Sequence, residues 1–378
     1  MGGFPMTVTG KVQKFKMREV AIVELGLEKA AGHRPLMLSS RDACVSSSLD
    51  TARRLGQGYQ AFQCVVVACE LKIPDLLANG PKSAAEIASA TQTHEPSMRS
   101  LMRALCAWEV FSERPDGTFA ATEVSGHFRS DRPGLRNWLM TNGDWYPAWA
   151  NLGFTLRTGN NAFVHTFGKT VWEMEAENPE ASARFNANMV ESTKRTVGAF
   201  VAVYDLAGVQ TVVDIGGGNG ALLSAVLQAK PEMRGVLFDL RQGLVGAREA
   251  LDADGVASRV TLVEGNFFES VPAGGDLYIL KRIIHIWTDD QARAILEVCR
   301  RSMSSQARLV LLERTIPQHI DASPSALEAA MADLHMRVVA GGQERTTNEY
   351  RALLAAAGLR MTRLVPTDGF GIIEAVPA

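Results

Sequence analysis

The sequence predicts an α/β fold: a doubly wound, mostly parallel sheet with an antiparallel C-terminal edge, preceded by a mostly helical domain of winged-helix type. Three observations predict it. TVVDIGGGNG at residues 211–220 runs from β-branched residues through Asp214 into a turn with four glycines among the next six positions, and ALLSAVLQA at 221–229 follows with helical apolar spacing. Strand, glycine turn and helix allow a backbone to approach a ligand closely. From residue 211 onward, short apolar runs alternate with amphipathic stretches such as DQARAILEVCRRSM. Upstream, residues 83–121 read helix, helix, hairpin.

The chain of 378 residues is long enough for two domains, and its 46% hydrophobic and 21% charged content is that of a soluble globular protein. A formal net charge of −2 argues against a general affinity for polyanions, and no apolar run approaches the ~20 residues of a membrane helix. No nucleic-acid or membrane partner is expected. The five cysteines are scattered and form no CxxC pair. A reduced, cytoplasmic setting without a zinc site follows.

Residues 1–50 stand apart. FPMTVTGKVQKFKMREVAIVELGL at 4–27 resembles the extreme C-terminus of an acyl-CoA synthetase of the adenylate-forming family, through PMTVTGK at 5–11 followed by Lys14. In that family the lysine matching Lys11 serves adenylation; without a nucleotide pocket it has nothing to act on, so the segment is expected to be a remnant. Residues 30–48 read as a linker of low order.

The first domain is expected over 51–135. YQAFQCVVVACEL at 59–71 is apolar on most faces and should be buried. Ser83 with Glu86 forms a capping box, and Glu95-Pro96 opens a helix with Leu101, Leu105 and Trp108 at helical spacing. A turn at RPDG, 114–117, joins the arms of a hairpin. A winged helix invites a DNA-binding reading. Its second helix offers only Arg99 and Arg103, with Glu95 and Glu109 beside them, so a packing and dimerisation module is the better expectation.

Residues 136–205 are helical and crowded with aromatics, among them Trp145, Trp149, Phe163 and Phe185. Such density makes either core or the apolar wall of a pocket for a flat ligand. In the last domain, 206–378, strands are expected at VLFDL (236–240), RVTLVEGNFF (259–268), GDLYILKRIIH (275–285) and ARLVLLERTI (307–316), with MTRLVPT and FGIIEAV as the closing antiparallel pair.

The glycine turn does not choose its ligand. Gly216-x-Gly218-x-x-Ala221 fits the dinucleotide fingerprint, and Asp239 at the second strand end can hold a ribose, which NAD and S-adenosylmethionine share. A nicotinamide oxidoreductase therefore stays open on these residues. The order of parts and the motifs VVDIGGGNG, GVLFDL, EGNFFESVP, LKRIIHIW, LLERTIP and GGQERT carry a resemblance to the class I, S-adenosylmethionine-dependent O-methyltransferases of the plant caffeate and bacterial natural-product type, over residues 56–378.

The resemblance implies a homodimer, a small hydroxylated aromatic acceptor and no metal. It implies cofactor contacts at Asp214, Gly216, Gly218, Asp239, Leu240, Asn266, Phe267 and Lys281. The family usually has Asp where this chain has Asn266, whose amide oxygen can still accept a hydrogen bond. It implies His285 as general base with Glu313 and Glu344 as its acids, and a pocket drawn from Trp145, Trp149, Phe163, Phe185, Met189, Trp287, Met331 and His335. The family also places an acid directly after the histidine, where this chain has Ile286; that departure keeps open a relative that uses the S-adenosylmethionine site for chemistry other than methyl transfer.

Overall fold

The computed structural model describes residues 40–367 and 369–378, so the segment resembling an acyl-CoA synthetase lies outside the described residues. A boundary after Val65 divides the chain into two compact units. The helix Ser40–Glu70 spans it and begins inside the stretch expected to be linker. The apolar run at 59–71 is buried only from Val66 onward; Tyr59 is 55% exposed, because helix residues up to 60 lie open on this single chain.

Within the second unit, the winged-helix pattern is present. Helices Ala84–Thr91 and Glu95–Ala107 precede β1 (Phe111–Glu113) and β2 (Phe119–Ala121), which pair antiparallel. Ser83 Oγ accepts from Glu86 N at 3.2 Å while Glu86 Oε2 accepts from Ser83 N at 2.7 Å, closing the capping box. Met98, Met102, Leu105, Phe111 and Phe119 fill the core. Arg99 pairs with Glu95 at 2.9 Å and Arg103 with Glu113 at 3.1 Å, so both arginines of the second helix are engaged within the domain.

The large sheet contains β3 (Thr211–Ile215), β4 (Arg234–Asp239), β5 (Val260–Glu264), β6 (Leu277–Lys281) and β7 (Arg308–Glu313). A further short pair, β8 (Thr315–Ile316) and β9 (Arg345–Thr346), stands apart from it, and β10 (Leu359–Thr367) and β11 (Phe370–Pro377) close its edge. The order is β10-β11-β7-β6-β3-β4-β5. All neighbours are parallel except β11, which runs antiparallel to both β7 and β10. Strand order reverses at β3, which lies between β4 and β6; in open α/β sheets ligands bind at the carboxyl ends beside such a reversal. Apolar cores cover both sheet faces.

Several strand bounds differ from expectation, and two of the differences bear on the site. Asp214 does not end its strand but lies inside β3, fully buried. The run at 307–316 breaks after Glu313, and its tail pairs with β9, Thr315 against Arg345 and Ile316 against Thr346. That pairing ties the GGQERT segment to the end of β7.

Candidate active site

Beyond the C-terminal end of β6 the chain makes one sharp turn. Arg282 adopts φ +56, a left-handed conformation that costs a non-glycine residue about 1 kcal/mol, and its N–H still donates to Leu312 O at 3.0 Å. A 3-10 turn, Ile284–Ile286, follows and carries His285. Glu313, the last residue of β7, accepts the Ile283 and Ile284 N–H groups on Oε1 at 2.9 and 2.7 Å. A fully buried carboxylate thus holds the backbone entering the turn.

His285 is 4% exposed, with Glu313 at 0% and Glu344 at 2%. Its Nδ1 lies 2.9 Å from Glu344 Oε1 and 3.8 Å from Glu313 Oε2. The two acids are not equivalent. Burial pushes the Glu313 carboxyl above its ordinary value, offset only in part by His285. Burial also pushes on Glu344, but the charge and hydrogen bond of His285 overcome it and hold that carboxyl below its ordinary value. Glu344 is therefore the ionised partner, and it fixes the tautomer with the proton on Nδ1. One oxygen from each acid and Nδ1 lie within 4.8 Å of one another.

Gly342 and Arg345 secure this arrangement, and the sequence reading missed both. A Cβ on Gly342 would stand 2.1 Å from His285 O and 2.4 Å from Ile286 C, so only glycine permits the two backbones to meet there. Gln343 N then donates to His285 O at 2.9 Å. Arg345, with no exposed surface, donates to Ile284 O at 3.1 Å, Trp287 O at 2.9 Å and Gln343 O at 3.3 Å, and pairs with Asp289 at 2.8 Å. It binds the carbonyls on both sides of His285. The signal for both residues was their place beside Glu344 in GGQERT.

The glycine turn lies beside the β3 reversal. Gly216 and Gly218 have φ +67 and +58. A Cβ on Gly216 would meet Ile283 Cδ1 at 2.7 Å, whereas one on Gly218 would enter open space. Asp239 Oδ2 accepts from Gly218 N at 2.8 Å, and Oδ1 from Leu240 N at 2.7 Å. Asn266 Oδ1 accepts from Phe268 N at 3.1 Å and Nδ2 donates to Glu269 at 3.1 Å, so the amide expected to face a ligand also braces its own turn. Burial pushes the Asp214 carboxyl up to about 7 and the Lys281 ammonium down to about 8. Lys281 Nζ donates to Thr193 Oγ1 at 2.6 Å, and Asp214 Oδ2 is buried without a partner.

The aromatic segment folds as helices Arg136–Ala150, Leu152–Thr158, Ala162–Phe167, Val171–Glu177 and Pro179–Val203, joined by Pro324–Val339 from the last domain. Trp145 packs on Phe185 at 6.0 Å and on His335 at 5.4 Å, while Trp149 stacks on His335 at 6.0 Å. Met189, on the helix Pro179–Val203, is half-buried. Phe163, Trp287 and Met331 differ in burial and in neighbours. Phe163 is completely buried beneath the wall and supports it. Trp287 packs against Phe267 and Phe268 at 6.0 and 4.9 Å. Met331 is 46% exposed, as its helix is only partly covered.

Comparison with known proteins agrees with this layout. The family described as the O-methyltransferase domain matches residues 149–360, and the O-methyltransferase dimerisation domain matches residues 54–131. A phenazine O-methyltransferase of Lysobacter antibioticus is 38% identical over 323 residues, 85% of this chain and 94% of that one. The structure of a mitomycin 7-O-methyltransferase is similar with a TM-score of 0.83 at 34% identity, covering 89% of this chain and 99% of that one. An O-methyltransferase from neocarzinostatin biosynthesis, solved with S-adenosylmethionine and 2-hydroxy-5-methyl naphthoic acid, matches with a TM-score of 0.75 at 32% identity, covering 84% and 96%.

Proposed function

The chain belongs to the O-methyltransferase family, and from that premise we propose that His285 is the general base of methyl transfer to an aromatic hydroxyl. As a member, it is an S-adenosylmethionine-dependent O-methyltransferase, and its dimerisation domain makes it a homodimer. When bound, S-adenosylmethionine supplies an already electrophilic methyl group, so the protein need not activate the donor. The residues present fit that group. Gly218 leaves open a cradle that a Cβ would fill, and Asp239 stands beside it to hold ribose hydroxyls. In this reading Gly216 and Leu240 line the same cradle, Asn266 and Phe267 flank the adenine, and Lys281 and Asp214 complete the far side.

A phenol has a pKa near ~10 and is a poor nucleophile at neutral pH. His285 gives its Nδ1 proton to Glu344 as a hydrogen bond, which leaves Nε2 unprotonated to take the acceptor's proton as its oxygen attacks. Glu344 stabilises the imidazolium so formed; Glu313 holds the turn. No metal is needed, since Glu313 Oε1 is committed to two backbone N–H groups and Nδ1 to Glu344. Trp145, Trp149 and Phe185 give the acceptor an apolar wall suited to flat molecules of the kind named in the relatives. Among the described residues no helix is long and apolar enough to cross a membrane, and the unpaired cysteines favour a cytoplasmic setting.

The buried Nδ1–Glu344 pair carries this reading. Transfer from labelled S-adenosylmethionine to a panel of hydroxyarenes tests it. His285→Ala should lower kcat by roughly 10²–10⁴-fold while S-adenosylhomocysteine affinity, by calorimetry, stays within about threefold. Undiminished turnover would sink the assignment.

A further inference from the structure

We propose that His335 is a fixed hydrogen-bond donor to the acceptor molecule, and that it selects hydroxyarenes bearing a carbonyl oxygen or ring nitrogen beside the hydroxyl to be methylated. The proposal rests on the reading of His285 above.

The tautomer is set by Trp149. Its Nε1–H donates to His335 Nδ1 at 3.2 Å. An indole nitrogen can only donate, so Nδ1 must be the bare nitrogen, and the neutral ring carries its proton on Nε2. Two indoles fix the ring itself, Trp145 at 5.4 Å and 33° and Trp149 at 6.0 Å and 28°. Burial, then the charges of Arg282 and His285, pull the imidazole down to about 4. At neutral pH it is therefore uncharged, and protonation would in addition set an Nδ1–H against the Trp149 N–H. His335 cannot serve as a second base, because the nitrogen that could accept a proton already accepts one.

What remains is Nε2–H. Among the described residues nothing accepts from it, and the side chain is not sealed: His335 keeps part of its surface open. Two residues before it on the same helix, Asp333 Oδ1 accepts from Glu344 N at 3.0 Å, so His335 stands at the reacting end of the aromatic wall. A donor set among indoles is costly when left unpaired after a ligand expels water. A ligand with an acceptor atom there satisfies it; a plain phenol leaves it bare. Sites built to hydrogen-bond a substrate group discriminate against analogues that lack the group.

Matched acceptors that differ only at that atom test the proposal: 8-hydroxyquinoline against 1-naphthol. Both kcat/KM and affinity in the presence of S-adenosylhomocysteine are read. The wild type should favour the member with the acceptor atom by roughly 10–100-fold. His335→Phe should cancel the preference by lowering that member alone, and His335→Gln, which keeps a donor, should restore most of it. No preference in the wild type, or an equal loss for both members in His335→Phe, would overturn the proposal. The His285 reading fails separately, since His285→Ala should depress both members alike.

Discussion

The glycine turn presents backbone: Gly216 and Gly218 at positive φ, with Asp239 holding Gly218 N at 2.8 Å. The aromatic wall presents side chains on helices: Trp145, Trp149 and His335, locked by ring contacts 5.4 to 6.0 Å apart. In the proposed reading the glycine turn receives the donor, and its backbone geometry shapes that side. The acceptor side can be re-cut by exchanging one side chain without moving the main chain. His285 sits between them, on a turn held by the donor-side sheet through Glu313 and by the acceptor-side helix Pro324–Val339, where Asp333 Oδ1 accepts from Glu344 N at 3.0 Å.

The largest effect should come from breaking the joint between the two sides. Arg345→Met would strip Ile284 O, Trp287 O and Gln343 O of their buried donor. A loss of about 3 kcal/mol or more in urea unfolding is expected. The Asp289 pair contributes little to that figure, because the carboxylate is 69% exposed. Gly342→Ala should be more selective. Its Cβ would press on main-chain atoms of His285 and Ile286, so turnover should fall at least about tenfold while S-adenosylhomocysteine still binds. Unchanged kcat in Gly342→Ala would show that the turn tolerates displacement.

The comparison also explains what could be read from the chain. Strands β3, β4, β6 and β7 are buried on both faces and announce themselves as apolar runs, and the glycine turn has a fixed chemistry. The pairing of β8 with β9 could not be read, because each strand is two residues long and its partner is distant. The neighbours of Trp287 could not be read either: aromatic content does not say which rings an indole packs against. Its packing on Phe267 and Phe268 depends on the 3-10 turn, which sequence periodicity does not encode.

A smaller effect should separate the two sides. Gly218→Ala places a Cβ in the open cradle at φ +58. About 1 kcal/mol of backbone strain and a roughly tenfold loss of S-adenosylhomocysteine affinity are expected. Affinity for the acceptor alone should be unchanged. A parallel loss of both would mean that the sides are coupled more tightly than their separate construction implies.

The smallest effect is a difference in sign. His335 titrates near 4 in the folded chain against an ordinary 6.5, so the folded state binds fewer protons in that interval. Its contribution to stability is full above about 6.5 and is lost as pH falls toward about 4, by at most about 3 kcal/mol. Asp214, raised to about 7 from 3.8, has the opposite response: the folded state binds more protons, and stability is lost as pH rises from about 4 to about 7. Glu175, pushed up to about 7 by burial, and Glu313, also raised by burial, respond in the same sense as Asp214, so the wild type should lose stability as pH rises from about 4 to about 7, with His335 opposing. Urea unfolding at a series of pH values separates them. His335→Phe should steepen the fall with rising pH, and Asp214→Asn should make it shallower. Curves of unchanged shape in both variants would mean that neither buried group titrates in this range and that the two sides of the site share one electrostatic environment.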